Sequence, residues 1–202
     1  MKIIDLSIEI NEDTPVYPGD PPVRIEQAGV FAKDGSIDHL LHFGTHTATH
    51  IDAPLHMIEG GKTLDQFPAE HFVGTGKLIE GFEFEAVKEA GIEQGDIVLF
   101  HTGLSDKFYM PEYWEIREAM SEEVTKYLAE IKPKMVGLDT GGADTKGSPN
   151  HAIHKILLGA EILIIENLTN LNKLAGKEFT VYALPIKLQL DGAPDRVIAQ
   201  LA

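Results

Sequence analysis

Short aliphatic runs along the 202-residue chain alternate with polar stretches rich in proline and glycine. Residues 2–10, Lys-Ile-Ile-Asp-Leu-Ser-Ile-Glu-Ile, read as a strand that stops at Asn11-Glu12-Asp13. Residues 14–22 hold four prolines and one glycine, a stiff loop that presents its one aromatic, Tyr17, in a defined place. A short helix is predicted over 83–90 and a buried strand over 96–100. Ser121 suits an N-cap, with Glu122 and Glu123 in the first turn of a helix running to Pro133. Residues 134–138 predict another strand, and 139–150 a polar loop with three glycines. A helix over 151–159 puts Ile153, Ile156 and Leu157 on one face, and 162–165 is a buried strand ending at Glu166-Asn167. The tail reads as strand-like 180–184, Pro185, residues 186–190 and a Gly-Ala-Pro turn at 192–194. Strands outnumber helices and some alternate with them. The fold class expected is therefore α/β, a single mixed domain over residues 1–202 with a largely β core.

Charge and composition narrow the function classes. Seventeen Lys and Arg against 32 Asp and Glu leave a net charge of −15, which argues against nucleic acid, whose phosphates want clustered cations. The longest aliphatic run, Ile162–Ile165, is far short of the ~20 residues of a membrane helix. The N-terminus meets Asp5 at once and carries no apolar signal region, so a cytoplasmic mature protein is expected. No cysteine is present, which excludes disulfides, thiol catalysis and cysteine metal sites. A metal in this chain takes His, Asp and Glu as ligands.

The histidines supply that chemistry. Five of the nine fall between positions 39 and 56, and within 42–56 every histidine and the one carboxylate, Asp52, occupies an even position. An extended chain would turn His42, His46, His50, Asp52 and His56 to one side. A straight strand sets the Cα atoms of His46 and His50 roughly 13 Å apart at ~3.3 Å per residue, near the limit for sharing one ion. The chain is thus expected to bend here, at Ala48 and Pro54. A helix would instead pair His46 with His50 at i,i+4, but Pro54 prevents its extension. Surface or threonine-bonded histidines are the plain alternative, yet packing four titratable groups together without a cation is costly. Neutral imidazoles with a carboxylate are what a divalent cation accepts, and zinc, manganese or iron would suit.

His46-x-Ala48-Thr49-His50-x-Asp52-x-Pro54-x-His56 resembles the His-x-Gly-Thr-His-x-Asp-x-Pro-x-His signature of the cyclase family, with Ala48 at the usual glycine. That family includes kynurenine formamidases and isatin hydrolases, metal-dependent hydrolases of amides and cyclic imide-like rings. Further resemblances are Tyr17-Pro18-Gly19-Asp20, Gly137-Leu138-Asp139-Thr140, and His154-x-x-Leu157-Leu158 followed by Glu166-Asn167-Leu168, so nearly the whole chain is covered. The resemblance implies the family's swivelling β/β/α fold. It also implies that His46, His50 and Asp52 hold one divalent metal, Zn(2+) or Mn(2+), and that Asp52, His154 and Glu166 hold a second, with one or two ions per subunit.

The resemblance makes His56 the general acid/base; a third imidazole ligand is its alternative. Tyr17 is expected to cover the substrate ring, where kynurenine formamidases tend to carry tryptophan. His151, three residues before His154, is expected at the rim, and His101 stands where the family more often shows arginine. The glycine-rich loop lacks P-loop spacing, and Asp144 within it reads as a solvated acid. The expected activity is hydrolysis of a carbon–nitrogen bond in an amide, aryl formamide or cyclic imide-like small molecule, with a non-catalytic metal-binding or small-molecule-binding module as the alternative. The resemblance also implies a homo-oligomer, a dimer or higher.

Overall fold

A strand that returns to a sheet after a helix pairs parallel to its predecessor, and this rule shapes the middle of the molecule. The computed structural model describes residues 1–115 and 118–202. The elements are strand β1 (Lys2–Asp5), a hairpin of β2 (Arg24–Gly29) and β3 (Asp38–His42) with the one-turn helix α1 (Phe31–Asp34) between them, and β4 (His50–Asp52). There follow β5 (Val73–Glu80), α2 (Phe84–Glu89), β6 (Ile97–His101), α3 (Glu122–Ile131), β7 (Met135–Leu138), α4 (Ala152–Gly159) and β8 (Leu163–Glu166). The chain closes with β9 (Phe179–Ala183), β10 (Gly192–Pro194) and β11 (Val197–Leu201). Nine strands form one sheet in the order β1-β11-β9-β5-β6-β7-β8-β4-β10, and β2-β3 stands as a separate ribbon. Strands β5 to β8 are parallel, while β4 runs antiparallel on β8 and β10 antiparallel on β4.

The parallel strands are apolar on both faces because both are covered. On one face, Val98, Phe100, Val136, Leu138 and Ile164 pack beneath Val87 of α2, Val124 and Leu128 of α3, and Leu157 of α4. On the other, Ile97, Leu99, Met135, Leu163 and Ile165 meet Ile51, Val181, Val197 and Ala199 from the curled antiparallel part of the sheet. The result is a helix layer, a sheet layer and a second β layer, as expected for a mixed α/β domain with a β core. Ser121 caps α3 as predicted, its Oγ accepting a hydrogen bond from the Val124 amide.

Two local expectations are corrected, and two elements carry no signal in the sequence. The first strand stops at Asp5, not residue 10, because the chain then leaves the ladder: the Ile8 amide donates to Thr49 Oγ1 and Ser7 Oγ donates to the Val197 carbonyl. The Gly-Ala-Pro segment is strand β10, not a turn; Pro194, which has no N–H to give, is tolerated at the sheet edge. Strand β5 carries no alternating pattern because its glycines are spacers: a Cβ on Gly76 would sit 1.9 Å from Phe179 Cε2. The hairpin is nearly all exposed, so no buried face marks it in the sequence. Among the described residues, no helix is long and apolar enough to cross a membrane.

Asp195, between β10 and β11, sets a pH dependence. Both its carboxylate oxygens are buried with no hydrogen-bond partner among the described residues. Burial raises its pKa to about 7, and the nearby amides of Arg196 and Leu184 offset only part of that. The folded protein then holds this proton more tightly than the unfolded chain, so stability falls as pH rises from about 4 to about 7 and stays low above it. Asp195→Asn is expected to raise the melting temperature at pH 8 by roughly 5 °C or more and to give little gain at pH 4. Thermal scans at the two pH values check this, and equal shifts at both would contradict it.

Candidate metal centre

The site is built on the pairing of two short strands. In the β4–β8 register His50 lies directly opposite Glu166, and Asp52 sits two residues along the same face of β4. The chain reaches β4 through a turn at 45–49, neither straight strand nor helix, in which Ala48 takes a left-handed conformation at φ 53°. That bend brings the His46 and His50 rings to 5.0 Å between centroids, at right angles. Pro54–His56 forms a single 3-10 turn that folds His56 back over His46, ring centroids 4.0 Å apart. Helix α4 lowers His154 onto Glu166, Nε2 to Oε1 3.1 Å, with Asp52 Oδ2 at 3.8 Å. His46, His50, Asp52, His56, His154 and Glu166, spread over 120 residues, thus face one another.

Each imidazole is oriented from behind. His50 Nδ1–H donates to the Ala48 carbonyl at 2.8 Å, which leaves the lone pair of Nε2 facing inward. His154 Nδ1–H donates to Asp144 at 2.6 Å, likewise freeing Nε2 for the site. His46 lies between two carboxylates, Nδ1 2.7 Å from Asp52 Oδ1 and Nε2 2.8 Å from Asp191 Oδ2. Asp191 also approaches His56 Nδ1 at 3.5 Å. Asp144 is therefore not a solvated acid: it is buried, and it also accepts the Ile153 and His154 amides at the start of α4. Neither its role nor that of Asp191 is visible in the sequence: Asp144 acts through its loop folding back onto the start of α4, and Asp191 reaches His46 from 145 positions away. Gly192 marks the same approach, since a Cβ there would lie 2.9 Å from His46 Cε1.

Two buried atoms test whether these residues fit a cation. His50 Nε2 and Asp52 Oδ2 have no hydrogen-bond partner among the described residues. His50 Nε2 points at Asp52 Oδ1, 3.2 Å away, and Glu166 Oε2, 3.6 Å away. A lone pair aimed at two carboxylates is repulsive unless a proton or a cation lies between them. Ligand atoms of His50, Asp52 and Glu166 lie within 4.8 Å of one another, as do those of His46, Asp52 and His56, so Asp52 belongs to both groups. The donor set fits one or two divalent ions.

Protons stand in where no cation is bound. Burial works against charge on His46, but Asp52 and then Asp191 outweigh it and raise its pKa to about 9. Burial likewise opposes charge on His154, yet Asp144 and Glu166 raise its pKa to about 10. Asp52 is held well below the carboxylate range, since His50 and His46 overcome its burial. His56 moves the other way: burial lowers its pKa, and the charges of His46 and His154 add to that effect.

Beside this centre lies a cavity of about 240 Å³ walled by Tyr17, Trp114, Met57, His151 and Lys146. Tyr17 and Trp114 meet edge to face at 5.9 Å. Trp114 is missed in the sequence; it fits this place because Gly141 leaves room, a Cβ there lying 2.7 Å from the indole. His151 is the N-cap residue of α4, not a residue within its helical face. His101 stands apart, paired with Glu80 at 2.7 Å at the ends of β6 and β5.

Three comparisons bear on this geometry. The family described as "Putative cyclase" matches residues 4–145. A kynurenine formamidase of Bacillus thuringiensis (strain Al Hakam) is 28% identical, the match covering 96% of this chain and 95% of that one. The solved structure of isatin hydrolase A from Labrenzia aggregata, bound to benzyl benzoate, superposes with a TM-score of 0.85 at 26% identity over 98% of this chain and 93% of that one. A structure described as a predicted metal-dependent hydrolase from Bacillus stearothermophilus gives 0.78 at 30% identity, covering 98% and 97%.

A divalent cation that took His46 and His154 as ligands would displace the protons these rings hold. Titration of the metal-free protein with zinc at pH 7.5 is expected to release protons, and the apparent affinity to rise with pH from about 6.5 to about 9. The sign follows because both folded pKa values lie above the ordinary 6.5: the proton-held pairs stabilise the metal-free form below that value and fade through 9 to 10. Calorimetry in two buffers of different ionisation enthalpy measures the release, and none at all would exclude both histidines as ligands.

Proposed function

Given that the chain belongs to the cyclase family, we propose that it is a metal-dependent hydrolase that cleaves a carbon–nitrogen bond of an amide, aryl formamide or cyclic imide-like small molecule. The observation that carries this reading is the pair of buried, partnerless atoms His50 Nε2 and Asp52 Oδ2. The names of the relatives, kynurenine formamidase and isatin hydrolase, support the bond type.

In this reading His46, His50, Asp52, His154 and Glu166 would hold one or two ions, zinc or manganese, with Asp52 shared by both ligand groups. A divalent cation bound there would supply an acidified water and polarise the substrate carbonyl. Asp144 and Asp191 keep the rings of His154 and His46 turned inward. His56, held neutral near pH 7 by burial and its histidine neighbours, accepts a proton as the carbonyl is attacked. It then returns that proton to the leaving nitrogen, and Tyr17 and Trp114 hold the flat part of the substrate. His56→Ala is expected to keep its metal while kcat falls about 10²- to 10⁴-fold. Asp52→Asn is expected to lose the metal. Elemental analysis and assays on N-formyl aromatic amines, isatin and cyclic imides, with zinc-loaded and manganese-loaded protein, decide the matter. Loss of metal from His56→Ala would make that residue a ligand; full metal in Asp52→Asn would end the shared-ligand assignment.

The working form is proposed to be a homo-oligomer. The isolated β2–β3 ribbon exposes Phe31, Ile37, Leu40 and Leu41, and a lone two-stranded ribbon is marginally stable in water. Sedimentation is expected to give at least twice the 22.2 kDa chain mass, and Leu41→Lys to shift the protein toward monomer. A wild-type protein that sediments as a single chain would refute the proposal.

A further inference from the structure

His151 is held in a conformation that its helix does not need. It takes φ 45° and ψ 52°, left-handed values that cost an L residue roughly 1–2 kcal/mol and that glycine or asparagine adopts more readily. An N-cap residue earns its place through its side chain, yet His151 makes no capping hydrogen bond. Asp144 does that work, taking the amides of Ile153 and His154 at 3.1 Å each. The imidazole of His151 makes no hydrogen bond or ion pair with any described residue and stands exposed on the wall of the cavity that holds His56 and Trp114. Its ring centroid is 6.2 Å from that of His154, with the planes nearly perpendicular. A strained backbone, a cap supplied by another residue and a free imidazole over the reaction centre together point outward from the fold, toward a ligand.

We infer that His151 is a substrate-binding residue whose imidazole donates a hydrogen bond to an acceptor oxygen of the substrate. The substrate then carries a second carbonyl or a carboxylate beside the cleaved carbon–nitrogen bond. The inference rests on the proposed hydrolase reading, with the cation ligands left as assigned there. Asp144, His151 and His154 also place ligand atoms within 4.8 Å of one another, so metal ligation by His151 is the rival the test must separate.

The test compares His151→Gly and His151→Asn with wild type. Both residues tolerate the left-handed conformation, so both variants are expected to fold with an unchanged or higher melting temperature and full metal content. The loss of one hydrogen bond is expected to raise KM for isatin, or weaken its binding in a calorimetric titration, about ten-fold in His151→Gly. His151→Asn, which keeps a donor, is expected to fall between the two. Unchanged KM and binding in His151→Gly, loss of metal from either variant, or failure of isatin and every other panel compound to bind wild type would each overturn the inference. Wild-type protein that binds isatin but turns over no compound counts against the hydrolase reading alone, and the binding comparison still decides the role of His151.

Discussion

A carboxylate buried among imidazoles governs this molecule. Asp52 is almost fully enclosed, and among the described residues no lysine or arginine pairs with it, with Glu166 or with the supporting acids Asp144 and Asp191. Removing a carboxylate from water costs several kcal/mol, and that cost must be offset locally. Positive charge within reach comes from protons on His46 and His154 or from a bound cation. The same cluster of side chains accommodates either, which explains how the centre stays assembled when its histidines are protonated.

The scaffold serves this arrangement by rigid pairing. Antiparallel register on β8 sets His50 against Glu166, while β10 on the far side of β4 brings Asp191 behind His46. Helix α4 packs on the opposite face through Leu157 and Leu158, and its first turn carries His154. Both supporting carboxylates enter from loops, so the ring orientations depend on the whole sheet being closed. Ala48 shows what this closure demands. Its left-handed backbone explains why the family signature has glycine there, and alanine holds the turn against a penalty on the order of 1 kcal/mol.

The residues that line the cavity differ in kind. Tyr17 and Trp114 offer flat apolar surface from loops rich in proline and from a 3-10 turn. The loop before α4 offers Lys146 and His151, polar groups on a segment that Asp144 ties to the helix start. One short stretch of chain, Asp144 to His154, therefore lines both the cavity and the buried centre.

The sequence by itself set out the candidate ligand chemistry. Even-numbered histidines around Asp52 and the absence of cysteine point to a site of imidazoles and carboxylates, while His154 and Glu166 enter through the family resemblance. It also carried the parallel strand–helix core and the Ser121 cap, whose signals are local. Tertiary structure alone decided the rest. Strand β5 and the Gly192–Pro194 strand are defined by what packs or pairs beside them: the glycines of β5 interrupt any alternation, and Gly-Ala-Pro reads locally as a turn. Asp191 and Trp114 gain their roles from partners 145 and 97 positions away (191 − 46 and 114 − 17), separations over which no local pattern exists, and Asp144 gains its role from the way its loop folds back onto the start of α4. Spacing along the chain states which groups are available, and only closure of the sheet states which of them are buried together and must share one charge.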